Sequence, residues 1–379
     1  MTSDIDGGDI SGYSEMVRRS LRKLERGTDE EGLSATMDEY SHYVLRKYVF
    51  IAICVMGIAV VAGLATTIGS YPIGFTESYH LIWQHLTGNI ADPIKDHVVW
   101  DLRLPRILVA VVAGAGLAVA GVAMQSTLKN PLADPYTTGI SSGAAFGATV
   151  GIVVGSTLVG GEYSIILNAF VFALIPAAMI IVVSGFKNAS PTVMILSGLA
   201  IMYIFNAMTT VLMLMADPDD LAAVYKWQVG SLASSDWTSL PIMSAVTVAG
   251  MAVIAMLSNR LNVLSTGDDS ARSLGVDAGR LRLLCLVVVS LMSASIVSFT
   301  GIIGFVGLVS PHIVRIFIGS DNRYLIPASA GFGAVLLLVA DLIGRTVISP
   351  AVLQVGVVTA FLGGPLFLYL IVRQRKDVW

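Results

Sequence analysis

The sequence predicts an all-α integral membrane protein with ten transmembrane helices. Of its 379 residues, 55% are apolar and only 13% are charged, which is about half the charged fraction of an ordinary soluble domain. Mean hydropathy is +0.78. Apolar runs of about 20 residues, the length that crosses a bilayer as a helix, recur along the chain after Tyr48. The lipid bilayer is therefore the expected solvent for most of the chain.

Ten apolar runs are separated by charged residues or by proline, glycine and asparagine. They cover residues 48–70, 106–128, 138–160, 163–184, 192–215, 239–258, 283–300, 302–318, 324–346 and 352–372. The seventh and eighth runs are divided only by Thr300, Gly301 and Gly304. A single kinked helix there would give nine spans and would place the two termini on opposite sides of the membrane.

The distribution of basic residues favours ten spans over nine. With the N-terminus inside, 18 of the 23 lysines and arginines lie on the inner side, and the outer side carries Lys95, Arg103, Arg106, Lys226 and Arg345. An excess of basic residues in the cytoplasmic loops is typical of membrane proteins. The sequence therefore predicts a multi-pass protein of the cell membrane with both termini in the cytoplasm.

Residues 1–47 form a hydrophilic cytoplasmic extension, distinct from the ten-helix domain of residues 48–379. Ten acidic and five basic residues precede Tyr40, and no apolar run follows Met1, so a cleaved signal peptide is not expected. Within this extension, Tyr13–Arg26 is either part of a solvated, partly disordered tail or a short basic helix on the membrane surface.

Composition also excludes several classes of function. The formal net charge of −3 gives no reason to expect a nucleic-acid partner. Cys54 and Cys285 lie in apolar runs, and the five histidines lack metal-ligand spacing. None of the seven lysines follows a glycine, so the chain has no Walker A loop. The sequence thus predicts no cofactor, no metal site and no enzyme activity, and the energy for any work would come from another subunit or from an ion gradient.

Two stretches of polar residues stand out at opposite sides of the predicted membrane. On the outer side, Arg103-Leu-Pro-Arg106 opens the second span and Arg345 lies near the end of the ninth. These arginines either anchor helix ends at the interface or grip carboxylates on an external partner. On the inner side, residues 265–276 contain a short helix that Ser265 or Thr266 could cap and Gly275 could end. That helix is either a solvated connector or a docking element for a cytoplasmic partner.

Several motifs together resemble the FecCD family, the membrane permeases of ATP-binding-cassette importers for ferric siderophores, haem and vitamin B12. The similar segments are Arg103–Gly143, Gly267–Gly275, Gly304–Arg315, Ala340–Arg345 and Gly356–Phe367. They occur in the family's order and spacing between about Tyr48 and Arg375. The resemblance implies a type II ABC importer permease fold of ten helices that works as a homodimer, with two cytoplasmic ABC ATPase subunits and an extracytoplasmic substrate-binding protein as partners.

The resemblance also assigns roles to individual residues. It implies that Arg103, Arg106 and Arg345 dock the binding protein by pairing with its acidic residues. It implies that the ATPase subunits receive a coupling helix whose residues are Gly267, Asp268, Asp269, Ala271, Arg272, Leu274 and Gly275. The cytoplasmic gate would include Asn130, Leu132 and Thr192, although Pro191 stands where the family usually has a hydroxyl residue.

The sequence therefore predicts a permease subunit of an ATP-driven importer for a bulky metal chelate, with ferric siderophore first and vitamin B12 or haem next. Two other hypotheses remain open from the residues alone. One is a secondary transporter driven by an ion gradient, which the scarcity of ionisable residues at mid-membrane disfavours. The other is a membrane scaffold without a transport path.

Overall fold

A computed structural model describes residues 30–69, 71–158, 160–161, 163–187, 189–348 and 351–373. The predicted Tyr13–Arg26 segment lies outside these residues. Contacts divide the chain into two compact units, Met1–Phe50 and Ile51–Trp379. In the first unit the Lys47 ammonium lies 4.1 Å from the centre of the Tyr43 ring. The helical bundle is built from the second unit.

Every regular element in the described ranges is helical. The α-helices are α1 (Glu30–Thr67), α2 (Phe75–Thr87), α3 (Pro93–His97), α4 (Leu104–Leu128), α5 (Ile140–Thr149), α6 (Ser164–Lys187), α7 (Pro191–Leu214), α8 (Pro218–Gln228), α9 (Ser239–Met256), α10 (Ser258–Ser265), α11 (Asp268–Ser273), α12 (Ala278–Thr300), α13 (Val306–Ile318), α14 (Asn322–Thr346) and α15 (Val355–Arg373). π-Helical turns at Val98–Arg103 and Val150–Val154 and a 3₁₀ turn at Pro135–Thr138 complete the set.

Among the residues that the structure describes, seven stretches of helix are long and apolar enough to cross a membrane. They are Ser41–Thr67, Pro93–Leu128, Ser164–Phe186, Pro191–Leu214, Ser239–Met256, Ala278–Thr300 and Asn322–Thr346. The other three predicted runs coincide with shorter apolar helices, Ile140–Val154, Val306–Ile318 and Val355–Tyr369. The structure therefore supports a multi-pass helical membrane protein, with three elements shorter than the sequence predicts.

The seventh and eighth predicted runs are two helices and not one. α12 ends at Thr300, where Gly301 adopts a positive φ of 69°, and α13 begins after Phe305, which also has a φ of 69°. The Thr300 carbonyl, left free by the end of the helix, accepts a hydrogen bond of 2.7 Å from the Ser231 N–H.

α4 is the central helix of the bundle. It packs against α9, α12, α13 and α14, and most of its side chains are buried. Glycines allow its backbone to approach its neighbours closely: a Cβ at Gly114 would overlap the carbonyl oxygen of Gly333, and one at Gly121 would overlap that of Gly307. Small residues have this role in bundles within lipid, where packing replaces the hydrophobic drive.

Candidate docking and coupling sites

Two of the three predicted docking arginines, Arg106 and Arg345, pair with one carboxylate near the beginning of α4, and Arg103 lines the same cavity. Arg106 Nη2 lies 2.7 Å from Asp341 Oδ1, and Arg106 Nε donates to the same oxygen at 2.9 Å. Arg345 Nε lies 3.0 Å from Asp341 Oδ2. Pro105 lies in the first turn of α4, directly after the π-helical turn and before Arg106. Arg103, Arg106, Arg345 and Asp341 are called the arginine cluster below.

Arg103 and Arg345 also close the end of α1. Arg103 donates to the carbonyl oxygens of Thr66 (2.5 Å), Thr67 (3.0 Å) and Tyr71 (2.5 Å). Arg345 Nη1 donates to the carbonyls of Ala65 and Ile68 at 3.3 and 3.0 Å. The last carbonyls of a helix lack partners and carry partial negative charge. The two guanidiniums therefore stabilise this helix end.

The guanidiniums of this cluster are largely buried, although they are predicted to lie at the outer interface. Arg103 is 5% exposed and Arg345 is 8% exposed, because the carbonyls of α1 and the Asp341 carboxylate already engage them. Both still line a cavity of about 210 Å³, together with Arg106, Gly69 and Tyr71. Arg345 Nη2 is buried there and has no hydrogen-bond partner among the described residues.

The arginine cluster has an excess of positive charge. The cluster holds three guanidiniums and one carboxylate, which pairs with Arg106 and Arg345, so two positive charges are not balanced within it. Guanidinium groups bind carboxylates through paired N–H donors. This end of the bundle can therefore accept an anionic group, and Arg106 is the member of the cluster with the more exposed side chain, at 14%.

A short helix, α11, is present at the predicted position between Gly267 and Gly275. Asp268 and Asp269 lie in its first turn, where acidic residues complement the helix dipole. Gly275 ends it with a positive φ of 79°, and the Val276 N–H donates 2.8 Å back to the Ala271 carbonyl. These features agree with the sequence prediction.

The prediction that Ser265 or Thr266 caps this helix is wrong. Gly267 occupies the N-cap of α11 and makes no side-chain bond. Ser265 Oγ instead bonds the Asn262 carbonyl at 2.6 Å, and Thr266 Oγ1 bonds the Val263 carbonyl at 2.8 Å. These hydroxyls therefore bond carbonyls in the last turn of α10 and do not cap α11.

One face of the Gly267–Gly275 segment is open to a partner. Asp269, Arg272, Leu274 and Gly275 are exposed, with Leu274 at 66%, whereas Ala271 is fully buried against the bundle. The available surface is therefore a small patch with one apolar side chain and both signs of charge.

Asp268 attaches this segment to the bundle through two basic residues. It forms two hydrogen bonds with Arg282, from Nη1 to Oδ2 at 2.9 Å and from Nη2 to Oδ1 at 2.7 Å, and Lys129 Nζ lies 2.7 Å from Oδ1. The Arg282 and Lys129 hydrogen bonds hold the pKa of the Asp268 carboxyl well below its usual value. Lys129, Asp268 and Arg282 are called the Asp268 cluster below.

The predicted gate residues lie in two segments beside this cluster. Asn130 Oδ1 accepts the Leu132 N–H at 2.9 Å, a local turn that leaves the Leu132 side chain 41% exposed. Thr192 is exposed in the first turn of α7, after Pro191 and the capping residue Ser190. The structure connects the two segments indirectly, because Arg282 bonds the carbonyls of both Thr127 and Ala189.

The two clusters lie at opposite ends of α4. Arg106 is in its first turn, whereas Lys129 follows its last residue. A helix rises 1.5 Å per residue, so its 25 residues separate the two clusters by about 37 Å. That distance is close to the thickness of a bilayer with its headgroups.

Sequence reasoning missed the two residues that hold the clusters together. Neither of them is assigned a role from the sequence. A signal is present for Asp341, since it precedes Arg345 by one helical turn and a charge in a span requires a partner. Arg282 has no comparable signal, because its partners are the Asp268 carboxylate in a connecting segment and two backbone carbonyls distant in sequence.

Comparison with known proteins agrees with this architecture. The FecCD transport family model matches residues 55–373. The chain is 36% identical to a hemin transport system permease protein of Yersinia pestis, covering 85% of this chain and 96% of that one. It is 37% identical to a cobalamin import system permease protein of Halobacterium salinarum, covering 83% and 89% of the two chains.

A solved structure gives the same result. A metal-chelate type ABC transporter in an inward-facing conformation superposes with a TM-score of 0.76 and 30% sequence identity, covering 86% of this chain and 99% of that chain. The described bundle thus has the fold of an ABC transporter permease, and the relatives are transport components rather than enzymes. The chain belongs to the FecCD transport family.

Proposed function

We propose that this chain is the membrane-spanning permease subunit of an ATP-driven importer that carries a bulky metal chelate from an external binding protein into the cytoplasm. The observation that carries this proposal is the placement of the arginine cluster and the Gly267–Gly275 segment at opposite ends of α4. An importer that receives substrate from a protein on one side and energy from a protein on the other side needs a docking surface at each end.

The proposed topology has ten membrane-spanning elements and two cytoplasmic termini. Seven long helices cross the bilayer, and the three shorter apolar helices, α5 with its π-helical turn, α13 and α15, complete the count. Irregular backbone and short helices are tolerated at membrane depth where protein covers them. The functional unit is a homodimer, with the transport path between its two copies.

The binding protein docks on the arginine cluster. Acidic residues on its two lobes would pair with Arg106 and reach Arg103 and Arg345 through the cavity that these residues line. The uncompensated positive charge of the cluster supports this role, because complementary charges steer association and fix its register.

Two cytoplasmic ATPase subunits supply the energy. Each would receive the exposed patch of one Gly267–Gly275 segment, formed by Asp269, Arg272, Leu274 and Gly275. ATP-driven closure of the ATPase pair would then move α11 and switch access to the path through the gate residues Asn130, Leu132 and Thr192.

The substrate class is supported by the relatives. Two of them are permease proteins for hemin and cobalamin, and the similar solved structure is of the metal-chelate type. Ferric siderophore is the first candidate for this chain, and haem and vitamin B12 follow. All three are bulky chelates, and their chemical recognition would lie in the external protein.

Reconstitution in liposomes tests the proposal. The chain is assembled with its ATPase subunits and binding protein, and uptake is measured with radioiron-labelled ferrichrome, radioiron-labelled hemin and radiocobalt-labelled cyanocobalamin. Uptake of one probe that requires ATP and the binding protein is the expected result. Uptake by the chain alone, driven by a proton or sodium gradient, would establish a secondary transporter and reject the proposal.

A further inference from the structure

A single buried guanidinium joins three segments to which the proposed function gives separate roles. The Arg282 side chain is only 2% exposed. Besides its two bonds to the Asp268 carboxylate, it donates from Nε to the Thr127 carbonyl at 3.0 Å and from Nη1 to the Ala189 carbonyl at 3.2 Å. All three nitrogens of the group are therefore engaged.

Each partner of Arg282 belongs to a different functional segment. Asp268 is the first residue of α11, in the segment proposed to meet the ATPase. Thr127 lies in the last turn of α4, three residues before Asn130. Ala189 lies just before α7, three residues before Thr192. The same side chain thus touches the coupling segment and the approach to both gate segments.

The chemistry of this contact makes it a rigid connection. A guanidinium is planar and presents its donors in a fixed fork, so its partners cannot move independently without breaking a bond. A charge buried to this degree is costly to leave unpaired. Displacement of Asp268 must therefore move Arg282 or leave its charge without a counterion.

Lys129 alone provides a weaker connection. It also contacts Asp268, but its side chain and that of Asp268 are 31% and 38% exposed. Ion pairs that water reaches to this extent contribute little. In addition, Lys129 directly follows α4, and its ion pair with Asp268 does not connect the coupling segment to α7.

We propose that Arg282 is a positioning residue that transmits the movement of the coupling segment to both gate segments, an inference that rests on the proposed function. Movement of the ATPase subunits displaces Asp268, and Arg282 transmits this displacement both to the end of α4 and to the start of α7. The two gate segments then open and close in concert.

The test uses the complete complex in lipid nanodiscs, with reporter cysteines in the gate segments. Leu132→Cys and Thr192→Cys are each labelled with a maleimide in the nucleotide-free state and after trapping with ATP and vanadate. The native Cys54 and Cys285 are 6% and 0% exposed, so they contribute little background. The ratio of labelling rates in the two states measures the response of the gate.

Three variants are compared with a matched control. Arg282→Lys keeps the charge but cannot reach three partners with one nitrogen. Arg282→Gln removes the charge, and Asp268→Asn removes the counterion while keeping its shape. Arg280→Gln is the control, because it lies on the same helix with its side chain 90% exposed.

The expected result separates transmission from assembly. In all three variants the labelling ratio falls toward one at both reporters and uptake drops about tenfold, a size common for coupling between sites. In the two Arg282 variants, co-purification with the ATPase subunits and the rate of ATP hydrolysis stay near those of the Arg280→Gln control. The double variant Arg282→Gln/Asp268→Asn loses no more than either single variant, since both act through one contact.

Two results would overturn the inference. One is a normal labelling ratio at both reporters in Arg282→Lys and Asp268→Asn. The other is loss of ATPase co-purification in the two Arg282 variants, which would make Arg282 a support for the docking surface only. If the unaltered complex and the Arg280→Gln control show no response to nucleotide, the proposed function itself fails and the inference fails with it.

Discussion

Asp341 and Arg345 lie one turn apart on α14 and form an ion pair of 3.0 Å whose side chains are 1% and 7% exposed. Asp341 also pairs with Arg106 at 2.7 Å, so one carboxylate is the counterion of arginines on two helices, α4 and α14. Removing one partner of a buried pair leaves an uncompensated charge, and that loss usually costs more than the pair contributes.

Asp341→Asn should therefore lower the free energy of unfolding by about 3 kcal/mol, measured by denaturant titration in mixed micelles. Asp277→Asn is the control. It weakens an exposed pair with Arg280 and keeps an asparagine cap on α12, where asparagine caps as well as aspartate. Equal stability of the two variants would contradict the structural role of Asp341.

Arg106→Ala should weaken association of the external binding protein by about thirtyfold, which corresponds to about 2 kcal/mol. The affinity is measured with the permease complex in nanodiscs at several salt concentrations, because screening reduces such attractions. Lys226→Ala is the control, since Lys226 is an exposed base predicted on the same side. An unchanged affinity for Arg106→Ala would reject the docking role of the cluster.

Leu274→Asp should reduce co-purification of the ATPase subunits without disturbing the fold, because the side chain is 66% exposed and supports no internal packing. A charge in the centre of an apolar contact is strongly unfavourable. Leu86→Asp serves as a control of equal exposure, at 65%, on α2. Normal recovery of the ATPase subunits with Leu274→Asp would contradict the coupling assignment.

Gly114→Ala should destabilise the bundle by about 1–3 kcal/mol, the usual cost of overpacking, because the added methyl group overlaps the Gly333 carbonyl. Unfolding in mixed micelles measures the effect. Gly185→Ala is the comparison, since no heavy atom lies within 4 Å of its added Cβ, and alanine there should be neutral or slightly stabilising.

The Asp268 cluster should give stability a specific dependence on pH. The pKa of Asp268 is lowered in the folded chain, mainly by the Arg282 hydrogen bond and then by that of Lys129. A lowered pKa stabilises the folded state above the unfolded value of about 4, and this contribution is lost as pH falls toward the folded pKa.

The difference in melting temperature between the unaltered chain and Asp268→Asn should therefore be constant from about pH 7 to about pH 5 and should shrink below about pH 4. Thermal unfolding in detergent at a series of pH values measures it. A difference that grows on acidification would have the wrong sign for this contact.

Much of the fold follows from hydropathy, because a bilayer demands long apolar helices. All ten predicted runs contain an apolar helix. The helices α5, α13 and α15 are shorter than predicted. The π-helical turn after α5 ends at Gly155 and α13 begins after Phe305, and both residues have a positive φ. Hydropathy does not detect such breaks.

The sites were predicted as positions and not as contacts. Arg106 and Asp268 were named from motifs, whereas their partners Asp341 and Arg282 lie 235 and 14 residues away. Long-range pairing of this kind depends on helix packing, which a single sequence does not display. The capping error at Ser265 has a similar origin, because a hydroxyl at a helix junction can serve either helix.

The touching backbones of Gly121 and Gly307 have a mechanical consequence. No flexible side chain separates the middle of α4 from the first turn of α13, so relative sliding would have to break a direct backbone contact. We expect these two pieces to move together during a rearrangement, with bending relative to α12 taken up by the non-helical Gly301–Phe305 stretch.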